Sequence, residues 1–324
     1  MVEESSSGSF DCAVTPLRSL RLRSGRQGMG DMAGQSVCRY PWHIRKLEPG
    51  PLQPIVGVTA LRTPAILRRM SLSVCIITLN EEANIGRTLK SAKGIADEII
   101  VVDSGSTDAT VSLARQFGAK VFVEPWKGFA RQKNSALEKA TCDWILSLDA
   151  DEEVSPELTA SIKALLTSGT PQFSGYLMNR RNMYFGKWIR RSGYYPDPKL
   201  RLIKRGAAQF ELRDVHEDMK MVGELGHLKG DMIHHAYPTL ESFIEHANRY
   251  SSLGADMVAR ERKVGFSVVN IVLRPLVRFL WAYFFRGGFL DGREGLLVLM
   301  NHAAYVSWKY AKAWEKSQSK LVNE

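Results

Sequence analysis

The chain has 324 residues, 44% hydrophobic and 24% charged, with a formal net charge of +10. This is ordinary composition for a globular protein, long enough for one large domain or two smaller ones with an ample core. The four cysteines, Cys12, Cys38, Cys75 and Cys142, are not paired at metal-ligand spacing. Cys75 and Cys142 sit in apolar, strand-like runs, which argues for core residues in a reducing compartment and against a disulfide framework. The opening "MVEESSSGSFDC" lacks the basic and apolar regions of a secretory signal, and no stretch of 18 uncharged apolar residues predicts a simple transmembrane span.

Residues 1–69 are rich in Ser, Gly, Arg and Pro and hold no hydrophobic period, so disorder or loose structure is predicted there. Met70 then opens "MSLSVCIITLNEE", a natural start for a first strand. The segment before it is expected to be a dispensable extension; the other reading is a basic arm touching membrane or nucleic acid. From Ser73 the pattern becomes regular. "SVCIITL" is a continuous β-branched apolar run and predicts a strand buried on both faces. A helix over "EEANIGRTLKSAKG", a strand "EIIVVD", a helix "TDATVSLARQFG" and a strand "AKVFVEP" follow. The helix "GFARQKNSALEKA" and the strand "WILSLD" complete the series. Alternating strands and helices predict a three-layer α/β sheet with right-handed crossovers. "SPELTASIKALLTSG" begins with Ser155 as N-cap and Pro156 at the first helical position.

After Gly169 the rhythm changes. "FSGYLMNRRNMYFG", "KLRLIKR" and "AAQFEL" read as strands without intervening helices, an antiparallel extension of the sheet. A long helix is predicted from about Leu240 to Arg262. Then comes "FSVVNIVLRPLVRFLWAYFF" (266–285), almost wholly apolar but carrying Arg274 and Arg278 on one helix face. A spanning helix with those charges is disfavoured. An interfacial helix, with arginines towards headgroups and Trp281, Phe284 and Phe285 inserted, fits the pattern; the competing reading is a core helix with snorkelling arginines.

In open α/β sheets ligands sit at the carboxyl ends of the strands. Here those ends read Thr78-Leu79-Asn80-Glu81, Asp103-Ser104-Gly105-Ser106-Thr107-Asp108 and Asp149-Ala150-Asp151. Any one of them has a structural explanation as a helix cap; their coincidence on one edge points to a ligand. In an extended segment Asp149 and Asp151 point to one side, so both are expected to approach one Mg²⁺ or Mn²⁺ shared with substrate phosphates. Asp103 is expected to accept hydrogen bonds from a base or ribose, with Gly105 permitting the tight turn. Residues 179–205 hold nine Lys/Arg against the single acid Asp197, which suits an anionic partner or a solvated basic face.

"TLNEE", "VVDSGSTDAT" and "DADEE", in this order over about Ser73 to Glu153, resemble the nucleotide- and metal-binding segments of family 2 glycosyltransferases with the GT-A fold. "GFARQKNSAL" resembles that family's donor-domain helix, with Lys133 either near the nucleotide or an ordinary surface lysine. Downstream, "WIRRSGYYPDPKLRLIKRG", "VHED" and "IHHAYPTLESF" resemble the lipopolysaccharide core-biosynthesis subgroup of β-1,4-glucosyltransferases. The resemblance implies an inverting transfer from a nucleotide sugar, UDP-glucose, to a heptose of lipid A-core. It implies donor contacts from Thr78, Asn80, Glu81, Asp103, Ser104, Gly105, Lys133, Asp149 and Ala150. Metal contacts would come from Asp151, Asp149 and His234, the last being equally readable as a structural histidine. The general base would come from "VHED": Glu217 first, Asp218 second, with Asp197 behind. Arg190, Arg191 and Arg201 would meet acceptor or donor phosphates.

The division implied is an extension (1–69), a GT-A domain (70–238, donor half 70–168 and acceptor half 169–238) and a helical, membrane-associating region (239–324). The enzyme would lie on the anionic cytoplasmic face of the inner membrane. A nicotinamide dehydrogenase is rejected because "TLNEEANIG" stands where G-x-G-x-x-G is needed. Nucleic acid is rejected as a partner because no binding motif accompanies the basic runs and an acidic sheet edge repels phosphate. A transferase acting on polyprenyl phosphate, or on another envelope glycan, is the alternative within the same class.

Overall fold

The computed structural model describes residues 69–212, 218–261 and 265–322. The expectations for residues 1–68, for His216 and for Glu217 lie outside the described residues. Strands β1 (Leu72–Thr78), β2 (Glu98–Asp103), β3 (Lys120–Val123) and β4 (Trp144–Asp149) alternate with helices α1 (Glu82–Lys93), α2 (Thr110–Gln116) and α3 (Phe129–Glu138). All four strands are parallel, in the spatial order β3-β2-β1-β4. Both faces of β1 are covered. Leu72, Val74 and Ile76 pack with Ile85 and Leu89 of α1, while Cys75 and Ile77 pack with Ala130 and Ala136 of α3. This double burial is why the run is continuously apolar instead of alternating.

After β4 the chain turns at Ala150–Asp151 into the short β5 (Glu152–Val154) and helix α4 (Pro156–Thr167). Ser155 caps α4 as its sequence predicts, its hydroxyl accepting from Leu158 N at 3.2 Å. Then follow β6 (Gly175–Tyr184), β7 (Lys187–Trp188), β8 (Pro198–Lys204), β9 (Ala208–Phe210), β10 (Met219–Met221) and β11 (Gly226–Tyr237). Among the described residues one nine-stranded sheet runs β3-β2-β1-β4-β8-β6-β11-β5, with β7 on β6. β8 is antiparallel to both β4 and β6, which forms the antiparallel extension. Two details differ from the sequence reading. β6 and β11 are parallel, and "AAQFEL" leaves the sheet: Gly206, at φ 79°, turns the chain after β8 so that β9 pairs with β10 in a separate ribbon. In β11 the register shifts beside Gly230, where an added Cβ would lie 2.3 Å from Leu158 N; only glycine lets this strand approach the start of α4.

The C-terminal part is helical. α5 (Leu240–Glu261) packs on α7 (Gly292–Val322), where Asn301 donates to Phe243 O and Lys312 donates to Asn248 and Ser251. Between them α6 (Arg274–Leu280) is flanked by π-helical turns at Val269–Leu273 and Trp281–Phe285. Pro275 lacks the N–H that an α-helical ladder needs, and the wider turn precedes it. This segment is not a core helix. Phe266 is 62% exposed and Phe285 74%, and Val272, Val277, Trp281 and Phe284 are also exposed. Arg274 donates to Tyr310 OH of α7 at 2.9 Å, so this arginine is engaged by the protein while those apolar side chains face outward and Phe279, Ala282 and Tyr283 pack inward. Among the described residues no helix is long and apolar enough to cross a membrane.

Candidate active site

The loops after β1 and β2 are laced together. Asn80, at φ 52°, donates its backbone N–H to Ser106 Oγ and accepts from Thr107 N, each at 2.8 Å. Glu81 N donates to Thr110 Oγ1 at 2.7 Å, and Ser104 N donates to Thr78 O at 2.9 Å. Asp103 accepts from Gly105 N, Ser106 N and Ser106 Oγ, a turn that Gly105 permits at φ 100°. Thr78, Asn80, Glu81, Asp103, Ser104 and Gly105 therefore come together as their sequence positions predict, but in different capacities. Asp103 and Asn80 shape the loops with their carboxylate and amide oxygens. The buried hydroxyls Thr78 Oγ1 and Ser104 Oγ have no partner.

At the end of β4 the acids separate. Asp149 pairs with Lys133 Nζ of α3 at 2.9 Å and with Arg201 of β8 at 2.8 Å. Burial pushes its carboxyl up, but the Arg201 and Lys133 charges outweigh this and hold it well below the usual carboxylate range. Glu152 takes Arg201 at 3.0 Å and the backbone N–H of Asp149 at 3.0 Å. Lys133 is thus not a surface lysine; it is tied to the end of β4. Ala150 is buried and its carbonyl accepts from Thr88 Oγ1 at 2.6 Å. The extended geometry expected over 149–151 does not form, because β4 ends at Asp149 and the chain turns.

Asp151, 2% exposed, points at His234 of β11: Oδ2 and Nε2 are 3.2 Å apart, and neither atom makes a hydrogen bond. The histidine is oriented by a relay. Asn182 Nδ2 donates to Asp197 Oδ2 at 3.3 Å, which turns Asn182 Oδ1 to His234 Nδ1 at 2.8 Å. Nδ1 is therefore the donor to Asn182, and Nε2 is the ring nitrogen that faces the carboxylate. Asp197 itself is engaged by Arg180 Nε at 2.9 Å and Lys199 at 3.5 Å, which removes it as a candidate base and makes it an anchor of this network. Arg180, 1% exposed, also lies 3.9 Å from Glu152.

Beside the Lys133–Asp149–Arg201 cluster lies a cavity of about 480 Å³, lined by Lys133, Arg201, Lys199, Phe210, Met219 and Asp218 among others. Of the acids in "VHED", Asp218 is described, and it faces this cavity. The three arginines expected to act together fall in two places. Arg201 is buried in the cluster, whereas Arg190 and Arg191 are exposed and their backbone N–H groups donate to Asp291 Oδ2 at 3.2 and 2.8 Å. The guanidinium of Arg190 lies 4.5 Å from the Trp188 ring centre.

The family model described as "Glycosyl transferase family 2" matches residues 73–222, the span that holds most of these residues. The chain is 32% identical to the lipopolysaccharide core biosynthesis glycosyltransferase LpsC of Rhizobium meliloti, over 78% of this chain and 94% of LpsC. It belongs to glycosyl transferase family 2. A Rickettsia typhi protein named as an uncharacterized glycosyltransferase is 35% identical over 70% of this chain and 80% of its own length. A crystal structure of glucosyl-3-phosphoglycerate synthase from Mycobacterium tuberculosis with Mn²⁺, UDP and glucosyl-3-phosphoglycerate is 27% identical, covers 35% of this chain and 44% of that chain, and has a TM-score of 0.30.

For this family 2 glycosyltransferase the metal expectation divides. Among the described residues no three His, Cys, Asp or Glu side chains are gathered to hold an ion, so the set Asp149, Asp151 and His234 does not stand as a group. Asp149 is committed to its two cations. Asp151 and His234 fit a cation better: a carboxylate and an imidazole nitrogen face each other in a buried site, neither atom with a hydrogen bond, and the other nitrogen of His234 is fixed by a hydrogen bond, as in ligating histidines. A carboxylate, an imidazole and substrate phosphate oxygens form a donor set that suits Mg²⁺ or Mn²⁺. Two participants escape a sequence reading: Arg180 and Asn182. On α3, Gln132 is buried together with Ala130, Lys133, Ser135, Ala136 and Leu137.

Proposed function

We propose that this chain is an inverting, metal-dependent glycosyltransferase that moves glucose from UDP-glucose onto a heptose of the lipopolysaccharide inner core. The acceptor class is supported by the similarity to LpsC over nearly all of that protein's length. One observation carries the chemistry: the buried Asp151–His234 pair at the carboxyl end of β4, next to the Lys133–Asp149–Arg201 cluster and the cavity bearing Asp218.

Thr78 and Ser104 offer their hydroxyls to the nucleoside, and Asp151 and His234 hold the ion. A divalent ion bound there supplies neutralisation of charge on the departing diphosphate. Asp149 acts as a strut that ties α3, β4 and β8, keeping Lys133 and Arg201 beside the leaving group. A carboxylate of "VHED", Asp218 in the cavity or its neighbour Glu217, takes the proton from the acceptor hydroxyl. The hydroxyl oxygen forms the new bond to the anomeric carbon as the carbon–oxygen bond to the diphosphate breaks and its electrons leave with the nucleotide; the single displacement inverts the centre. The outward-facing apolar side chains of 266–290 sit in the headgroup region of the cytoplasmic leaflet and bring the cleft to a membrane-held acceptor.

The test is a donor screen of the purified chain with heptose-terminated truncated lipopolysaccharide, reading release of nucleoside diphosphate with Mn²⁺ or Mg²⁺. UDP-glucose is expected to turn over fastest. No turnover with any nucleotide sugar overturns the enzyme reading, and turnover confined to another sugar overturns the glucose assignment.

A further inference from the structure

Gln132 is fully buried, at 0% exposure, and neither Oε1 nor Nε2 has a hydrogen-bond partner. A buried amide that satisfies none of its donors or acceptors is rare in a folded protein and marks a group kept for something outside the chain. Its position says what. Gln132 lies in the first turn of α3, four residues before Ala136 and so on the same helix face. Ala136 packs over the middle of β1, where its carbonyl accepts from Cys75 Sγ at 3.3 Å. The helix returns antiparallel to the strand it covers, so one turn back along α3 corresponds to about two residues forward along β1. By that spacing the Gln132 position corresponds to Ile77 and Thr78, at the carboxyl end of β1 and next to the end of β2. There, two further buried polar atoms, Thr78 Oγ1 and Ser104 Oγ, also lack partners. In the strand order β2-β1-β4, this is the side away from Asp151 and His234.

We infer that Gln132 reads the base of the nucleotide donor, its carboxamide meeting the imide edge of uracil: Oε1 accepts from N3–H and Nε2 donates to O4. This rests on the donor-site reading above and adds the residue that selects the base. A planar amide offering one acceptor and one donor side by side matches a planar edge that offers the reverse. A phosphate would use only Nε2. Its depth suits a flat ring slid between the loops, and a hydrated sugar would sit higher in the cleft.

The experiment measures binding of UDP, CDP and inorganic pyrophosphate, each with Mn²⁺, to the full chain, to Gln132→Leu and to Gln132→Glu, together with thermal unfolding. Gln132→Leu is expected to lose about tenfold or more in UDP affinity and to keep its pyrophosphate affinity. Without nucleotide it should melt at or above the unsubstituted protein, because an unsatisfied buried amide has been removed; the rise in melting temperature on adding UDP should shrink. Gln132→Glu places a carboxylate against uracil O4 but can accept from the amino group of cytosine, so the UDP-to-CDP preference should fall or reverse. Equal losses for UDP and pyrophosphate, or unchanged UDP affinity in Gln132→Leu, overturn the assignment. If the unsubstituted chain binds UDP, either result sinks only the role of Gln132. If it binds no nucleoside diphosphate at all, the transferase reading itself falls.

Discussion

His234 Nε2 faces Asp151 Oδ2 at 3.2 Å, while Nδ1 on the other side of the ring meets Asn182 Oδ1 at 2.8 Å. A buried carboxylate with no hydrogen bond is costly unless a cation meets it. Asp151→Asn or His234→Ala should therefore abolish Mn²⁺ binding measured by titration calorimetry and lower kcat by about 100-fold or more. Asn182→Leu, which frees the imidazole to take the other tautomer, should weaken Mn²⁺ by about 10–100-fold without touching the ion. Wild-type Mn²⁺ affinity in Asp151→Asn would refute the site.

Arg201 bridges Asp149 and Glu152, both buried. Removing it strands two carboxylates, so Arg201→Met should destabilise the fold by about 3–5 kcal/mol in urea unfolding. Adding Asp149→Leu to that variant should recover part of the loss, since one orphaned charge is gone. Strict additivity of the two substitutions would contradict the bridge.

Asp218 lines the cavity beside Lys133 and Arg201. Asp218→Asn and Glu217→Gln, compared in parallel, should separate the base from its neighbour. The base variant loses about 10²–10⁴ in kcat while the donor KM holds. A donor KM that rises with kcat preserved in both would move the proton acceptor elsewhere.

Burial pushes the His246 imidazole down to about 3, with Arg249 and His234 adding to the effect. In the unfolded chain it titrates near 6.5. The unfolded state therefore takes up the proton first on acidification. Stability is complete above pH 6.5 and falls by about 1.4 kcal/mol per pH unit between 6.5 and about 3. His302, lowered by burial to about 4, adds to the upper part of that window. His246→Phe retains a ring to stack on Tyr250, now 4.0 Å away, and should flatten the acid limb of a stability–pH curve. An acid limb of unchanged slope in this variant would show that the proton uptake lies elsewhere.

Trp281, Phe284 and Phe285 are exposed on one segment. Replacing Phe284 and Phe285 with Glu should release the chain from anionic vesicles in co-sedimentation while leaving its melting temperature near the original, because those side chains contribute little to the core. A full-length chain that never sediments with vesicles would end the membrane assignment.

Much of this protein is legible along the chain. "SVCIITL" and "WILSLD" are continuous apolar runs because β1 and β4 are covered on both faces, and their polar ends mark the edge at which open α/β sheets place their ligands. The C-terminal apolar run was open to two readings, and exposure decided against the core helix. What the chain does not display is which charge meets which. Asp149 and Asp151 are the same residue type two positions apart, yet one is neutralised by Lys133 and Arg201 and the other faces a histidine. That difference arises from the turn after β4 and from β8 and β11 arriving in register from far along the chain. Local sequence thus determined the strands, their order of burial and the acidic edge, because hydrophobic period and turn residues act over a few positions. Tertiary structure alone decided the roles of the acids, because a buried charge takes its state from whichever partner the fold brings within a few ångströms.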